Sequence, residues 1–166
     1  MPGKKWTTIL SLFGVKNVSE YREIMEAIDS GLDVNTADSG GRTMLMEAVI
    51  RKDSELVDAL ITREADVNLR CKRKWTALHF AAQNNDPNIG LKLISAGADV
   101  NAAEDYGNNV IWRAVFDARR DLQLAGALLE GGANPFEKNI KGISAKDTVG
   151  DDVELAALFI DYFGNS

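Results

Sequence analysis

The sequence contains very few of the residues on which catalytic and metal sites depend. Its 166 residues include one cysteine, Cys71, and one histidine, His79. A single cysteine cannot form an internal disulfide, which favours a reducing compartment. These two residues cannot supply the paired ligands of a zinc site, and they leave too few parts for a Ser–His–acid or Cys–His catalytic arrangement. We therefore expect no enzymatic activity, no catalytic residues, no bound metal and no cofactor.

Long apolar runs and an excess of positive charge are also absent from the sequence. No stretch approaches the roughly 20 consecutive apolar residues that a membrane-spanning helix needs. The formal net charge is −6, and the deficit lies in residues 84–166, which hold 7 basic and 13 acidic residues, whereas residues 1–83 hold 12 of each. An acidic half disfavours nucleic acid and membrane as partners and mildly favours a basic protein. Residues 4–15 resemble a signal peptide only faintly, since a small-residue cleavage site is missing, so we expect them to belong to the fold of a cytoplasmic protein.

The sequence does contain a repeat, which is clearest in residues 75–101. This stretch includes Thr76-x-Leu78-His79-x-Ala81 and ends in Gly-Ala-Asp-Val-Asn. Three asparagines, Asn35, Asn68 and Asn101, follow one another at an interval of 33 residues. The Thr-x-Leu-His-x-Ala run matches the ankyrin-repeat pattern at every position except its proline. The chain therefore resembles the ankyrin-repeat family over most of its length.

The resemblance implies an all-α fold: a solenoid of stacked helix-turn-helix units with β-turn fingers. We predict a single domain of three central repeats, 38–70, 71–103 and 104–138, between an N-terminal cap, 1–37, and a C-terminal cap, 139–166. The third repeat is two residues longer because Gly132 to Phe136 aligns with Gly97 to Asn101 only at a shift of 35. We expect its extra residues between Ala114 and Asp121.

Local signals predict where individual helices begin and end. Aspartates are expected as helix N-caps at four places, namely Asp53, Asp86, Asp121 and Asp151. The N-terminal cap is expected to contain a short apolar helix around residues 9–13, and a capping box from Asn17 to Glu20 is expected to start a second helix. Glu64 occupies a place that glycine holds in the other units, so its backbone is predicted to be left-handed.

Two features have more than one interpretation. His79 could act as a general base, but the resemblance implies the repeat's own histidine, which hydrogen-bonds the adjoining loop in the family, and we favour that reading. The basic cluster of Arg70, Lys72, Arg73 and Lys74 could contact an acidic partner surface or phosphates, or it could be a solvated turn.

The resemblance also implies that a partner lies along the groove formed by the finger tips and inner helices. Projected onto this sequence, the predicted partner-binding residues are Arg42, Ile50, Arg51, Arg73, Trp75, Tyr106, Asn108, Phe116 and Asp117. We expect the aromatic residues Trp75, Tyr106 and Phe116 to be exposed there, because stacked helix pairs bury the opposite faces of each repeat. Trp112 is expected to be core.

The sequence therefore predicts a non-enzymatic protein-protein interaction module that is monomeric when free. One hypothesis is an immunity protein that neutralises a cognate toxin, such as a basic nuclease. It is based on the compact form, the Gly-Ala-Asn-Pro ending and the Trp-Arg-Ala-Val-Phe run, which resemble small bacterial ankyrin proteins. The alternative is a regulatory or scaffold subunit that binds a housekeeping enzyme.

Overall fold

The structure is a computed structural model that describes residues 18–116, 122–150 and 152–164. These ranges contain eight α-helices and one short 3-10 turn, and they confirm the all-α prediction. The helices are α1 (Val18–Asp29), α2 (Met44–Ile50), α3 (Ser54–Thr62), α4 (Ala77–Gln83), α5 (Pro87–Ser95), α6 (Val110–Phe116), α7 (Gln123–Glu130) and α8 (Val153–Phe163), with the 3-10 turn at Lys146–Thr148. The predicted apolar helix at residues 9–13, the cap at Asn17 and the cap at Asp121 lie outside the described residues.

Short polar side chains start several of these helices by satisfying free backbone N–H groups of the first turn. Thr43 accepts a hydrogen bond from the Met46 N–H at 3.3 Å. Asp53 and Asp86 are N-caps as predicted, each accepting from the residue three positions on at 3.0 Å. The last helix differs from the prediction, because its N-cap is Asp152 rather than Asp151. The side chain of Asp152 accepts from two N–H groups of α8, both at 3.1 Å.

Each repeat opens with a finger, here defined as residues 38–42, 71–75, 104–108 and 139–143. In every finger the first N–H donates to the last carbonyl at 2.8–3.0 Å, which closes the turn. Neighbouring fingers are also joined to one another. The Lys72 N–H donates to the Gly40 carbonyl at 2.9 Å, and the Ile140 N–H donates to the Tyr106 carbonyl at 3.0 Å.

The helices lie in two layers on either side of a continuous apolar core. The inner helices α2, α4 and α6 pack side by side, and the outer helices α3, α5 and α7 form the second layer. Leu78 and Leu93, from the two layers of one repeat, are completely buried. Ala81 and Ala82 are also buried, and their small side chains let neighbouring helix pairs pack closely.

The asparagines at 33-residue intervals join each repeat to the next. Asn68 accepts from the Asp99 N–H at 2.7 Å and donates to the Gly97 carbonyl at 3.0 Å. Asn101 makes the same pair of bonds one unit later, accepting from the Asn134 N–H at 2.8 Å. Asn134 therefore occupies the repeat position equivalent to that of Asp99, although it lies 33 residues after Asn101. These bonds connect successive repeats through their exposed loops.

Glu64 provides a first testable prediction. Its φ is +62°, which agrees with the prediction made from the glycines at equivalent places. Residues with a side chain are strained in this left-handed region. We expect Glu64→Gly to raise the free energy of unfolding by roughly 1 kcal/mol in a denaturant titration. Glu55→Gly is the matched control, because Glu55 lies inside α3, where glycine should lower the free energy of unfolding by a similar amount. A less stable Glu64→Gly protein would contradict the prediction.

Candidate protein-binding groove

The predicted groove consists of the four fingers and the inner helices α2, α4 and α6. Contacts between these elements hold them side by side. In the first repeat, Arg42 of the finger reaches Glu47 of α2, with 3.7 Å between the guanidinium and the carboxylate. In the second, the ring of Trp75 lies 5.0 Å from the ring of Phe80 on α4. The finger tips and the inner helices therefore share one surface.

Trp75 is part of the core of this region rather than of its surface. Only 2% of the residue is exposed, so the prediction of an exposed indole is wrong. The ring packs against the rings of Phe80 and His79, and the guanidinium groups of Arg73 and Arg113 lie 4.9 and 5.0 Å from its centroid. The indole is therefore covered by neighbouring elements of the chain itself.

Tyr106 and Phe116 are exposed as predicted. Tyr106, at the tip of the third finger, is 58% exposed, and Phe116, at the end of α6, is 63% exposed. The Phe116 ring stacks on Trp112, with 4.9 Å between centroids and 13° between planes. This contact orients Phe116 while leaving most of its surface free. Trp112 is only partly buried, which is less than the core position expected of it.

Asn108, predicted to contact a partner, is nearly buried within the fingers. The residue is 9% exposed, and both the nitrogen and the oxygen of its side-chain amide form hydrogen bonds within the fingers. It donates to the carboxylate of Glu104 at 2.7 Å and accepts from the side chain of Asn139 at 2.7 Å. Asn108 therefore connects the third and fourth fingers, and the same bonds keep Glu104 buried and satisfied.

Arg42 and Arg51, the two predicted arginines of the first repeat, form a small ionic network with neighbouring carboxylates. Glu47 lies between Arg42 and Arg51, with an N–O distance of 2.8 Å to Arg51. Arg42 also pairs with Asp38 at 3.0 Å. Burial alone would raise the pKa of Asp38, but the backbone N–H groups and the guanidinium around it hold that pKa below its usual value. Ile50 is partly buried, whereas Asp117 lies outside the described residues.

His79 is completely buried beneath this surface. Its Nδ1 accepts from the Thr76 backbone N–H at 3.2 Å and lies 3.0 Å from the Thr76 hydroxyl. Burial lowers the pKa of His79 to about 4, while the backbone of Asn108, in the next finger, acts in the opposite direction. A buried neutral imidazole bonded at its own helix cap suits a structural role.

Arg113 also belongs to this region, although the repeat pattern did not predict it. Its guanidinium lies 5.0 Å from the ring of Trp75 and 5.5 Å from that of Trp112. The only sequence signal was its position on the predicted inner helix, since its contact with Trp75 joins residues from different repeats. The groove thus contains an arginine between two aromatic rings.

A second apolar surface lies at the C-terminal end, outside the predicted groove. A pocket of about 410 Å³ opens between α8 and the loops before it, and its apolar walls include Phe136, Phe159, Ile160 and Phe163. Lys146 lies over the Phe136 ring at 5.2 Å. The sequence did not predict this pocket, because the last unit departs most from the repeat pattern.

Two other kinds of site are absent from the parts of the chain that the structure describes. Within residues 18–116, 122–150 and 152–164, no group of three or more His, Cys, Asp or Glu side chains is arranged to hold a metal ion. In those ranges no helix is both long enough and apolar enough to span a bilayer.

Comparison with known proteins identifies the repeats. The family model for ankyrin repeats (3 copies) matches residues 15–104 and 45–140. A putative ankyrin repeat-containing protein of Treponema pallidum is 33% identical over 120 residues, covering 72% of this chain and 40% of that protein. Protein phosphatase 1 regulatory subunit 27 of Mus musculus is 38% identical over 77 residues, covering 46% of this chain and 50% of the relative. The mitochondrial disaggregase of Bos taurus is 29% identical over 137 residues, covering 62% of this chain and 20% of that protein.

The chain thus spans half or less of the length of these three relatives. The match to the family model is broader, since it covers well over half of the chain. It agrees with the stacked helix pairs, the fingers and the buried Thr-x-Leu-His-x-Ala run. The chain belongs to the ankyrin-repeat family, whose repeats generally serve as protein-protein interaction modules.

Proposed function

We propose that this chain binds a partner protein through the groove, and that Tyr106 and Phe116 are its main apolar contacts. The observation that carries the proposal is the exposure of these two aromatic side chains, 58% and 63%, on a finger tip and an inner helix. Large aromatic residues contribute disproportionately to protein interfaces, and exposed apolar patches mark binding surfaces. We further propose that the chain acts by binding alone and has no catalytic role of its own.

The kind of partner is a separate question. One of the relatives is named as a regulatory subunit of protein phosphatase 1, which favours a subunit that regulates an enzyme. The hypothesis of an immunity protein for a toxin remains a prediction from the sequence, since none of the three relatives is named as one. The monomeric state and the cytoplasmic location also remain predictions.

The experiment is to purify the partner that copurifies with the chain and to measure its affinity for alanine variants. Tyr106→Ala and Phe116→Ala should each change the free energy of unfolding by no more than about 1 kcal/mol, as surface substitutions do. At least one should weaken binding by about 2 kcal/mol, or roughly thirtyfold in Kd. Leu91→Ala is the matched control, because Leu91 is a 41% exposed apolar residue on the outer helix α5.

A second variant tests the other exposed apolar surface. Ile160 lines the C-terminal pocket and is 49% exposed. If Ile160→Ala weakens binding while Tyr106→Ala and Phe116→Ala bind normally, the partner occupies the C-terminal end and the proposed groove is wrong.

A further inference from the structure

We infer that the groove receives an acidic segment of its partner, one that combines aspartate or glutamate residues with apolar residues. This inference rests on the proposed function and specifies the chemistry of the partner. It runs against the net charge of the chain, which is −6. What matters for a segment lying in the groove is the local charge, because surface charges are screened over about 8–10 Å at physiological salt.

Charge is distributed unevenly between the two sides of the repeats. The fingers and the inner helices α2, α4 and α6 contain four acidic and six basic residues, the basic ones being Arg42, Lys72, Arg73, Lys74, Arg113 and Lys141. Helices α1, α3, α5, α7 and α8 contain nine acidic and two basic residues. The groove is therefore cationic although the protein is acidic.

The acidic residues of the groove are already occupied. Glu104 is 5% exposed and bonded to Asn108, and Asp105 lies 3.6 Å from the ammonium group of Lys74. Asp38 and Glu47 pair with arginines of the first repeat. Asp38, Glu47 and Asp105 are each paired with a cation and Glu104 is buried, which reduces the repulsion of an incoming acidic segment.

Two cations of the second finger have no such partners. Lys72 and Arg73 are both exposed, and neither forms an ion pair with any residue that the structure describes. The Arg73 guanidinium rests over the ring of Trp75 at 4.9 Å, and a cation–π contact of this kind holds the side chain in place. A pre-ordered guanidinium loses less entropy when it binds a carboxylate, and its planar fork can bind both carboxylate oxygens.

The apolar half of the inference comes from Tyr106 and Phe116. These exposed rings lie on the third repeat, next to the repeat that carries Lys72 and Arg73. A segment that contacts both repeats must offer carboxylates to the second finger and apolar side chains to the third repeat. A segment that carries acidic residues next to apolar residues would satisfy both.

The test uses a library of random peptides of about 12 residues displayed on phage, long enough when extended at about 3.3 Å per residue to cross several fingers. Selection on the immobilised chain should enrich peptides rich in aspartate, glutamate and apolar residues. A synthetic peptide of the enriched sequence should bind about tenfold more weakly to Lys72→Glu or Arg73→Glu. Its Kd should also rise several-fold between about 0.05 M and about 0.3 M salt.

Arg22→Glu is the control with the same change of charge, because Arg22 is exposed on α1, outside the groove. This variant should bind the peptide normally. Enriched peptides that are neutral or basic but are lost with Tyr106→Ala or Phe116→Ala would overturn the acidic segment and leave the groove intact. If no enriched peptide depends on Tyr106 or Phe116, the proposed function fails, and the inference that rests on it fails too.

Discussion

Replacing Trp75 with alanine is expected to lower the free energy of unfolding by about 3–5 kcal/mol, as truncating a buried tryptophan does. The ring is 2% exposed and contacts Phe80 on α4 and Arg113 on α6, so its loss would open a cavity where a finger meets two inner helices. Denaturant titration followed by circular dichroism measures the effect. Phe116→Ala is the control, because that ring is 63% exposed and should cost no more than about 1 kcal/mol.

Trp75→Phe separates the packing of the ring from its polar atom. The indole Nε1 is buried and has no hydrogen-bond acceptor in the part of the chain that the structure describes. Phenylalanine keeps an aromatic ring between Arg73 and Arg113. It also removes this unsatisfied donor, and that gain offsets part of the stability lost with the smaller ring. We therefore expect Trp75→Phe to be clearly more stable than Trp75→Ala. An alanine variant as stable as the original chain would show that Trp75 is not core.

The features that could be predicted from sequence are those set by local chemistry or by the repeat interval. Asp53 and Asp86 cap helices because the side chain and the N–H it satisfies are three residues apart. Glu64 is left-handed because a chain that reverses after a helix needs a positive φ there, whichever residue is present. The interval from Asn68 to Asn101 indicated the length of the repeat, and both residues bond one repeat to the next.

The groove could be predicted only in part, because exposure depends on contacts between repeats. The repeat pattern places Trp75 on a finger, but Arg113, a residue of the next repeat, helps to cover its ring. Asn108 is likewise buried, and its side chain is bonded to Asn139 of the next finger. No motif in the sequence links these two residues. The exposure of Tyr106 and Phe116 was predicted correctly, because one lies at a finger tip and the other at the end of a helix, where neighbouring repeats cover little.

The acid stability of the fold should depend on His79. An imidazole in an unfolded chain titrates near pH 6.5, whereas burial lowers the pKa of His79 in the folded protein to about 4. Above pH 6.5 the ring is neutral in both states, so it makes no contribution to the pH dependence. Between pH 6.5 and 4 the unfolded chain binds a proton that the folded protein does not. The free energy of unfolding should therefore fall across this window, by about 3 kcal/mol in total.

His79→Gln tests this assignment, because glutamine does not titrate. From the same third position of the helix, its side chain can still accept from the Thr76 N–H. Denaturant titrations at several values between pH 6.5 and 4 should show a steep loss of stability for the original chain and a much flatter profile for His79→Gln. Carboxylates with lowered pKa values, such as Asp38 and Asp147, lose their contribution only at lower pH, so they do not produce this difference. Parallel pH profiles for the two proteins would mean that the imidazole is protonated in the fold and that its burial is not what limits stability in acid.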